Sequence, residues 1–445
     1  MNKNATIRLA VLGLTLLPGA AVAQEADLAA QFADQAATTN FVFNTLLFLI
    51  GGFLVMWMAA GFAMFEAGLV RTKNVSAQCL KNIALYSVAG IMFWVIGYNM
   101  MYGGASPFLG GFGGPYSFTP EDVETGYSSY SDWFFQMVFC ATTASIISGT
   151  VAERIKFWSF FIFVIFMTGF IYPIVGSWEW GGGFLDKMGF SDFAGSTLVH
   201  STGGWAALVG AVIIGARTGK YGPDGKINPM TGSSIPLATL GAFILWLGWF
   251  GFNGGSQLAA GTISDADSVA RIFVNTNSAA AAGVIAAIIY SQVRYGQIDV
   301  TLALNGALAG LVSITAEPLT PSVPAAIFVG ATGSLIAMFT IPLLNRLKID
   351  DVVGAIPVHL VAGIFGTLVV PLTNPDVNFI PQLVGVIAIG AFVSAVSAIL
   401  WLALKQTIGL RLSSEVETEG LDTSFHKYQT RRRDWRPGGS VRKLR

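Results

Sequence analysis

The sequence predicts an all-α integral membrane protein with eleven transmembrane helices, in which five helices recur as an inverted repeat and the eleventh is an addition. Three observations predict this fold: a scarcity of charge, an alternation of basic and acidic loops, and a motif that occurs twice. Only 11% of the 445 residues are charged and 53% are hydrophobic, so charged side chains are too few to cover a soluble domain of this size. The formal net charge is zero, which gives no indication of a nucleic-acid partner.

The amino end has the composition of a removable signal peptide. Lys3 and Arg8 precede a short apolar stretch, and small residues at 21–23 precede Gln24. The apolar stretch, 9–17, is too short to span a bilayer. We therefore expect residues 1–23 to be a signal peptide and the membrane domain to occupy 24–410.

Charge-poor stretches predict the spanning helices. A spanning helix needs about 20 mostly apolar residues. Eleven stretches satisfy this or come close, with the eighth the shortest, and they are 41–70, 82–103, 132–152, 157–178, 194–216, 232–258, 272–293, 300–316, 323–345, 353–373 and 379–407.

The loops between these stretches alternate in charge. Basic loops stay in the cytoplasm, and here one set of alternate loops contains Arg71, Lys73, Lys81, Arg154, Lys156, Arg217, Lys220, Lys226, Arg294, Arg346, Lys348 and Lys405. The other set is acidic, with Glu121, Asp122, Glu124, Asp186, Asp265, Asp267 and Asp376 against only Lys187 and Arg271. This pattern predicts that the mature amino end lies outside the cell and the tail in the cytoplasm. Ends on opposite sides of the membrane require an odd number of spans, in agreement with eleven.

A motif in the fifth predicted span recurs in the tenth. Asp192, Gly195, Val199, His200 and Gly204 have the same spacing as Asp351, Gly354, Val358, His359 and Gly363. A second similarity links 61–68 in span one to 248–255 in span six. Because each unit has five spans, the second unit is inverted relative to the first, with repeat one at about 41–216 and repeat two at about 232–373.

His200 and His359 are the first candidate functional residues. Each lies eight residues after its Asp, which places it about 12 Å into a core of roughly 30 Å, so both are expected near the middle of the bilayer, entered from opposite faces. A lone histidine in a helix is commonly a packing residue, but ionisable groups inside a membrane usually mark a pathway. Two imidazoles in contact could relay a proton or simply line the path of small polar molecules.

The side chains expected near the histidines limit the reactions that this site could carry out. Asp192 and Asp351 are expected either to cap their helices or to organise the histidine site. No further Cys, Asp or Glu is expected at the depth of the histidines, so the sequence predicts no metal site and no cofactor. It also pairs no nucleophile with a base at one depth, so we do not expect an enzyme.

Aromatic side chains collect at the predicted external side. Phe135, Phe139, Phe252 and Trp180 are expected there together with the Ser256 hydroxyl. Each aromatic alone is commonly a core or interfacial residue. Together they predict a cup that attracts a small cation through its aromatic faces without a carboxylate. Such a cup above a path lined by histidines favours a cation that can lose its proton, as ammonium can.

Several motifs resemble signatures of the ammonium transporter family, the Amt/MEP/Rh group, across nearly the whole mature chain. They are 68–74, 152–154, 180–183, 192–195 followed by His200, 248–256, and 350–351 followed by His359. The resemblance implies a homotrimer with one pore in each subunit and no enzymatic activity. Trp180 and Ser256 together are similar to the Amt branch rather than the Rhesus-type branch.

The resemblance also implies site roles and partners. Phe139, Trp180 and Ser256 would bind ammonium, Phe135 or Phe139 would form an aromatic gate with Phe252, and the two histidines would line the pore. The cytoplasmic tail, 411–445, is similar to the family at 419–422 and His426, and a P-II signalling protein is a candidate partner at that face. The basic end, 431–445, is expected to be either a solvated tail or a segment that binds lipid or a partner.

Three functions follow from these expectations. The first is uptake of ammonium across the inner (plasma) membrane, with deprotonation outside and passage of ammonia along the histidines. The second is an electroneutral gas channel for ammonia. The third is an ammonium sensor that acts through its tail.

Overall fold

The computed structural model describes the backbone of residues 3–104, 106–119 and 125–425 and, within these ranges, the side chains from 27 to 423. The acids predicted at 121, 122 and 124, His426 and the basic stretch at 431–445 lie outside the described residues. In the described part the chain is helical, and its β-structure is limited to two isolated bridges. The prediction of an all-α protein is confirmed.

The long helices follow one another in the order of the predicted spans. They are α1 Lys3–Leu69, α2 Thr72–Tyr102, α3 Ser129–Thr150, α4 Phe157–Trp178, α5 Ser196–Ile214, α6 Ile235–Gly255, α7 Ile263–Tyr295, α8 Val300–Ile314, α9 Val323–Arg346, α10 Ile356–Thr373 and α11 Phe379–Thr407. Short helices occur at Phe184–Met188, Ser414–Glu419 and Leu421–Phe425.

Within the described residues, nine helices are long and apolar enough to cross a membrane. A multi-pass membrane protein is therefore confirmed. The other two long helices, α3 and α8, occupy the positions of predicted spans three and eight. Helix α8 is short, at 15 residues, and α3 contains polar residues along much of its length. The number of eleven spans stays a prediction.

Several helices have bounds that differ from those of the predicted spans. Helix α1 is continuous from Lys3, whereas span one was predicted to start at 41. Helix α7 starts at Ile263, nine residues before the predicted 272, because Thr262 and Asp265 form a capping box that begins the helix earlier. Helices α5 and α10 start at Ser196 and Ile356, a few residues after 194 and 353.

Glycines allow α1 and α6 to pack closely along their lengths. A Cβ atom on Gly241 of α6 would lie 2.3 Å from the backbone nitrogen of Phe65 in α1. A Cβ atom on Gly61 of α1 would lie 3.0 Å from the backbone nitrogen of Leu245. Small residues permit such backbone contact where lipid provides no hydrophobic drive for helix association. The pair joins the two helices that carry the second sequence similarity.

Basic residues of several loops meet at one end of the molecule, which we call the basic face. Arg217 donates two hydrogen bonds to the Asp350 carboxylate, at 2.8 and 2.9 Å, and is 3.2 Å from Glu153. Glu153 also pairs with Arg71. Burial alone would raise the pKa of Asp350, but the hydrogen bonds and charge of Arg217 outweigh it and lower the pKa to about 2.

The start of the tail docks on the basic face. The Asp422 carboxylate accepts hydrogen bonds from the backbone N–H groups of Ser76 and Ala77, at 3.0 and 2.8 Å, near the start of α2. A carboxylate is favourable there because the first N–H groups of a helix lack partners within it. Glu417 pairs with Arg411 at 2.8 Å and accepts from the Thr218 backbone at 2.6 Å.

Candidate functional site

The two copies of the repeated motif form the same local structure. We call residues 192–201 the first histidine segment and residues 351–361 the second. Each has a glycine in the left-handed region, Gly195 with φ +102 and Gly354 with φ +83, and each continues into a π turn that contains the histidine. Single π turns inside α-helices are frequent at functional sites because they change the direction of side chains.

The aspartates cap these turns. Asp192 accepts hydrogen bonds from four backbone N–H groups, those of Gly195, Ser196, Thr197 and Leu198, at 2.7–3.1 Å. Asp351 accepts from the backbones of Gly354 and Ile356, at 3.2 and 2.7 Å. The capping role is thus observed for both. The helices start after the cap, so each histidine lies near its helix start rather than 12 Å inside it.

His200 and His359 are in contact. Their Nδ1 atoms are 3.2 Å apart, and both side chains are buried. At this distance one ring nitrogen donates and the other accepts. The Nε2 atom of His200 has no hydrogen-bond partner among the described residues. The pair can therefore offer a hydrogen-bonding group to a small molecule that passes it.

Aromatic side chains at equivalent positions of the second similarity flank the pair. Trp249 stacks on His200, with ring centroids 4.9 Å apart. Phe62 lies against His359, with ring centroids 6.1 Å apart. The sequence placed both residues in the repeated stretches 61–68 and 248–255 but did not single them out as site residues. Their equivalent positions in the two repeated stretches could have identified them as site residues.

A stack of phenylalanines lies on the His200 side of the pair. Phe139 and Phe252 are parallel within 27°, with ring centroids 4.0 Å apart, and Phe252 also stacks on His200 at 5.2 Å. Phe135 contacts Phe139 at 4.8 Å and stacks on Phe48. Of the two phenylalanines expected to form a gate with Phe252, Phe139 is the one stacked on it.

Beyond this stack is a cavity of about 400 Å³, which we call the aromatic cavity. Phe135, Phe139, Trp180 and Ser256 all line it, whereas Phe252, also expected in the cup, is in the stack between the cavity and His200. Trp180 is held in place by a hydrogen bond from its Nε1 to the backbone oxygen of Asp192, at 3.1 Å. The Ser256 hydroxyl donates to the Phe252 backbone at 2.8 Å, which leaves its oxygen free to accept.

The cavity wall also contains a carboxylate, contrary to the expected cup. Asp132 lines it together with Tyr98 and Gln136. From the sequence, residue 132 is predicted only as the first residue of a span. A signal was available, because Asp132, Phe135, Gln136 and Phe139 have the spacing of one helix face.

On the other side of His359 the space is much narrower. A cavity of about 10 Å³ is lined by His359, Phe62, Glu66 and apolar side chains. Glu66 is five residues before Arg71 in the sequence, but its carboxylate accepts hydrogen bonds from Gln78, from Asn82 at 2.6 Å and from Ser148 at 2.9 Å. Arg71 pairs with Glu153 instead.

Among the described residues, no three His, Cys, Asp or Glu side chains are grouped so that they could hold a metal ion. The site is instead a line of three parts: the aromatic cavity, the buried pair of phenylalanine rings and the two histidines. This arrangement can attract a small cation, exclude a hydrated one and offer hydrogen bonds to a neutral polar molecule.

Comparison with known proteins gives consistent matches. Residues 46–431 match the model of the Ammonium Transporter Family. The ammonium transporter Amt2 of Archaeoglobus fulgidus is 38% identical over 412 residues, which cover 85% of this chain and 86% of that protein. The ammonium transporter Amt1 of Haloferax mediterranei is 35% identical over 86% of this chain and 78% of that protein. A solved structure named "Sensor Amt Protein" has a TM-score of 0.80 at 33% identity, covering 86% of this chain and 98% of that one.

Proposed function

The chain belongs to the ammonium transporter family, and we propose that it takes up ammonium by binding the cation in the aromatic cavity and conducting ammonia past His200 and His359. The single observation that carries this proposal is the histidine pair, with Nδ1 atoms 3.2 Å apart, directly behind the stacked rings of Phe139 and Phe252. A cation that keeps its charge would meet no acidic side chain, among the described residues, between these stacked rings and the histidine pair. Ammonium can lose one proton and become neutral ammonia.

Each part of the site has a role in this proposal. Phe139 and Trp180 offer aromatic faces to the cation, and the Ser256 oxygen accepts a hydrogen bond from it. Phe139 and Phe252 form the gate. The histidines then provide hydrogen bonds for ammonia, while Asp192 and Asp351 organise the site by fixing the turns that carry them.

The topology is part of the proposal. We infer eleven spans in an inverted five-plus-five repeat, with α3 and α8 as spans three and eight. Helix α3 is buried along nearly its whole length and α8 along its second half, so neither needs the apolar surface of a lipid-facing helix. The clustering of Arg71, Arg154 and Arg217 with the tail supports a cytoplasmic basic face. The aromatic cavity then faces outside.

The cellular setting also remains a proposal. We propose the inner (plasma) membrane, a signal peptide at 1–23, and a homotrimer in which each subunit has its own pore. We also propose a P-II signalling protein as a partner at the basic face, beside the docked tail. The named relatives are transporters, and the proposal includes no catalytic reaction on a substrate bond.

The test is the ammonium-evoked current of purified protein in lipid bilayers. The variant with His200→Leu and His359→Leu replaces both imidazoles by apolar side chains of similar size. We expect the current to fall by at least tenfold, whereas Asp376→Asn, in an exposed loop, should keep it. A current equal to that of the unmodified protein in the double variant would overturn the role of the histidines.

Two alternatives predict other outcomes. An electroneutral ammonia channel would alkalinise proteoliposomes after an ammonium step but carry no current. A sensor that acts through its tail is favoured by the contacts of Glu417 and Asp422 with the basic face and by the likeness to the solved structure named "Sensor Amt Protein". Loss of an ammonium response in cells, with transport intact, after removal of residues beyond Leu412 would support the sensor.

A further inference from the structure

Among the described residues that line the aromatic cavity, one has a carboxylate, Asp132, for which neither the family resemblance nor the expected cup has a role. Asp132 lies on the face of α3 that also presents Phe135, Gln136 and Phe139 to the cavity. Seven residues separate Asp132 from Phe139, so the acid is about 10 Å along the helix from the gate, on the side away from the histidines. A cation entering the cavity passes Asp132 first.

The hydrogen-bond partners of this carboxylate are neutral groups. The Tyr98 hydroxyl donates to Oδ2, and Nε2 of Gln136 donates to Oδ1 at 3.3 Å. Among the described residues, no Lys, Arg or His forms an ion pair with it. Its exposed fraction is only 8%, and a buried charge without a counter-charge is unfavourable. A cation in the cavity would relieve that cost.

The surroundings of Asp132 also suit a small cation. Tyr98, Tyr102 and Tyr127 line the same cavity and add aromatic faces. The cavity is partly enclosed by these rings, which weakens screening by solvent relative to an exposed acid. By contrast, Asp267 at the start of α7 is exposed and already paired with Arg271 at 3.2 Å.

We propose that Asp132 is a charged entry site for monovalent cations, which holds ammonium before it reaches Trp180 and Ser256 and so sets the apparent affinity of transport. This inference rests on the proposed function and adds a residue to it. At a distance of about 10 Å and an effective dielectric constant of about 20, one unit charge changes the local cation concentration about tenfold. Potassium, which has the same charge, is attracted to the same site but stops at the gate because it cannot become neutral.

The experiment measures initial rates of methylammonium uptake into proteoliposomes at low ionic strength, with and without external potassium. Asp132→Asn should raise KM about tenfold with less than a twofold change in the maximal rate, and it should weaken inhibition by potassium by a similar factor. Asp132→Glu keeps the charge and should restore most of the affinity. Asp267→Asn, the exposed acid, should leave both quantities unchanged.

Two further measurements separate charge from structure. Tyr98→Phe removes the hydrogen bond but keeps the carboxylate, so its effect on KM should be much smaller than that of Asp132→Asn; equal effects would overturn the inference. If Asp132→Asn does not fold, the unmodified protein still tests it, because external potassium should raise the KM for methylammonium with little change in the maximal rate, when ionic strength is held constant with N-methylglucamine chloride. A KM independent of potassium would overturn it. Absence of any uptake by the unmodified protein would instead reject the proposed function itself.

Discussion

The first and second histidine segments have one sequence pattern and one local backbone, but different neighbours hold them. In the first segment, Asp192 bonds four N–H groups of its own turn, and Trp180 and Glu179 bond its backbone. In the second, Asp351 bonds two N–H groups and the Thr150 hydroxyl of α3. The repeated pattern therefore determines where the histidines lie, while the surroundings give the two sides of the pair different properties.

The second sequence similarity, between 61–68 and 248–255, likewise gives the two histidines equivalent neighbours at one position and different ones at another. Phe62 and Trp249 occupy equivalent positions and flank one histidine each. Four residues later, Glu66 is equivalent to Asn253, and both are buried. The small cavity on the His359 side is thus lined by an acid where the equivalent position near His200 is an amide. In the proposed orientation this is the cytoplasmic side, so this repeated position differs between the two sides in whether its side chain can carry a charge.

The largest expected difference between the segments comes from their caps. Asp192→Ala leaves four buried N–H groups without an acceptor, and Asp351→Ala leaves two and a hydroxyl. We expect losses of about 4 and about 3 kcal/mol in the free energy of unfolding, because each buried donor without a partner costs about 1 kcal/mol or more. Thermal unfolding of purified protein in detergent measures both. Asp376→Asn is the exposed control, and equal losses for the two alanine variants would contradict the comparison.

A smaller difference is expected at acid pH. The residue before Asp351 is Asp350, which Arg217 holds at a pKa of about 2, below the ordinary 3.8. A lowered pKa stabilises the fold above pH 4, and this contribution is lost as the pH falls from about 4 to about 2. The shift corresponds to about 2 kcal/mol.

Unfolding midpoints measured between pH 5 and pH 2 test whether the charge of Asp350 contributes this stability. Asp350→Asn should remove part of the pH dependence in that window, because it removes the titrating group. Asp376→Asn should leave the dependence intact. An identical pH profile in the unmodified protein and Asp350→Asn would show that the Arg217 contact does not depend on the charge of the acid.

The equivalence of His200 and His359 could be predicted from sequence because a repeated spacing within apolar segments has few structural solutions, whereas their place near the helix starts could not. The cup residues Trp180 and Ser256 could also be assigned to one region, since the loop charges determined which helix ends lie together. In both cases the pattern is local, or it is set by the topology of the spans.

The surroundings of Asp132 and Glu66 could be predicted only in part. The spacing of Asp132, Phe135 and Phe139 indicates one face of a helix, but it does not show that this face lines a cavity. Glu66 is five residues from Arg71, but its partners Gln78, Asn82 and Ser148 come from α2 and α3. Such contacts are set by the packing of helices, which neither spacing nor composition specifies.

The smallest expected effect tests the flanking aromatics. Trp249→Phe places the same ring on both sides of the histidine pair and removes the hydrogen bond from Nε1 to Thr315 Oγ1, at 2.7 Å. The Thr315 hydroxyl still donates to the Leu311 backbone, so the loss should be about 1 kcal/mol. Trp158→Phe, at an exposed site, should cost less than about 0.5 kcal/mol.

Transport separates the two contributions of Trp249. A phenyl ring keeps an aromatic face on His200, so the ammonium-evoked current of Trp249→Phe should stay within about threefold of the unmodified protein if stacking alone orients the imidazole. A loss of current as large as that of the double histidine variant would mean that the indole, through its bond to Thr315, fixes the ring of His200. The first segment would then depend on a hydrogen bond that Phe62, beside His359, cannot make.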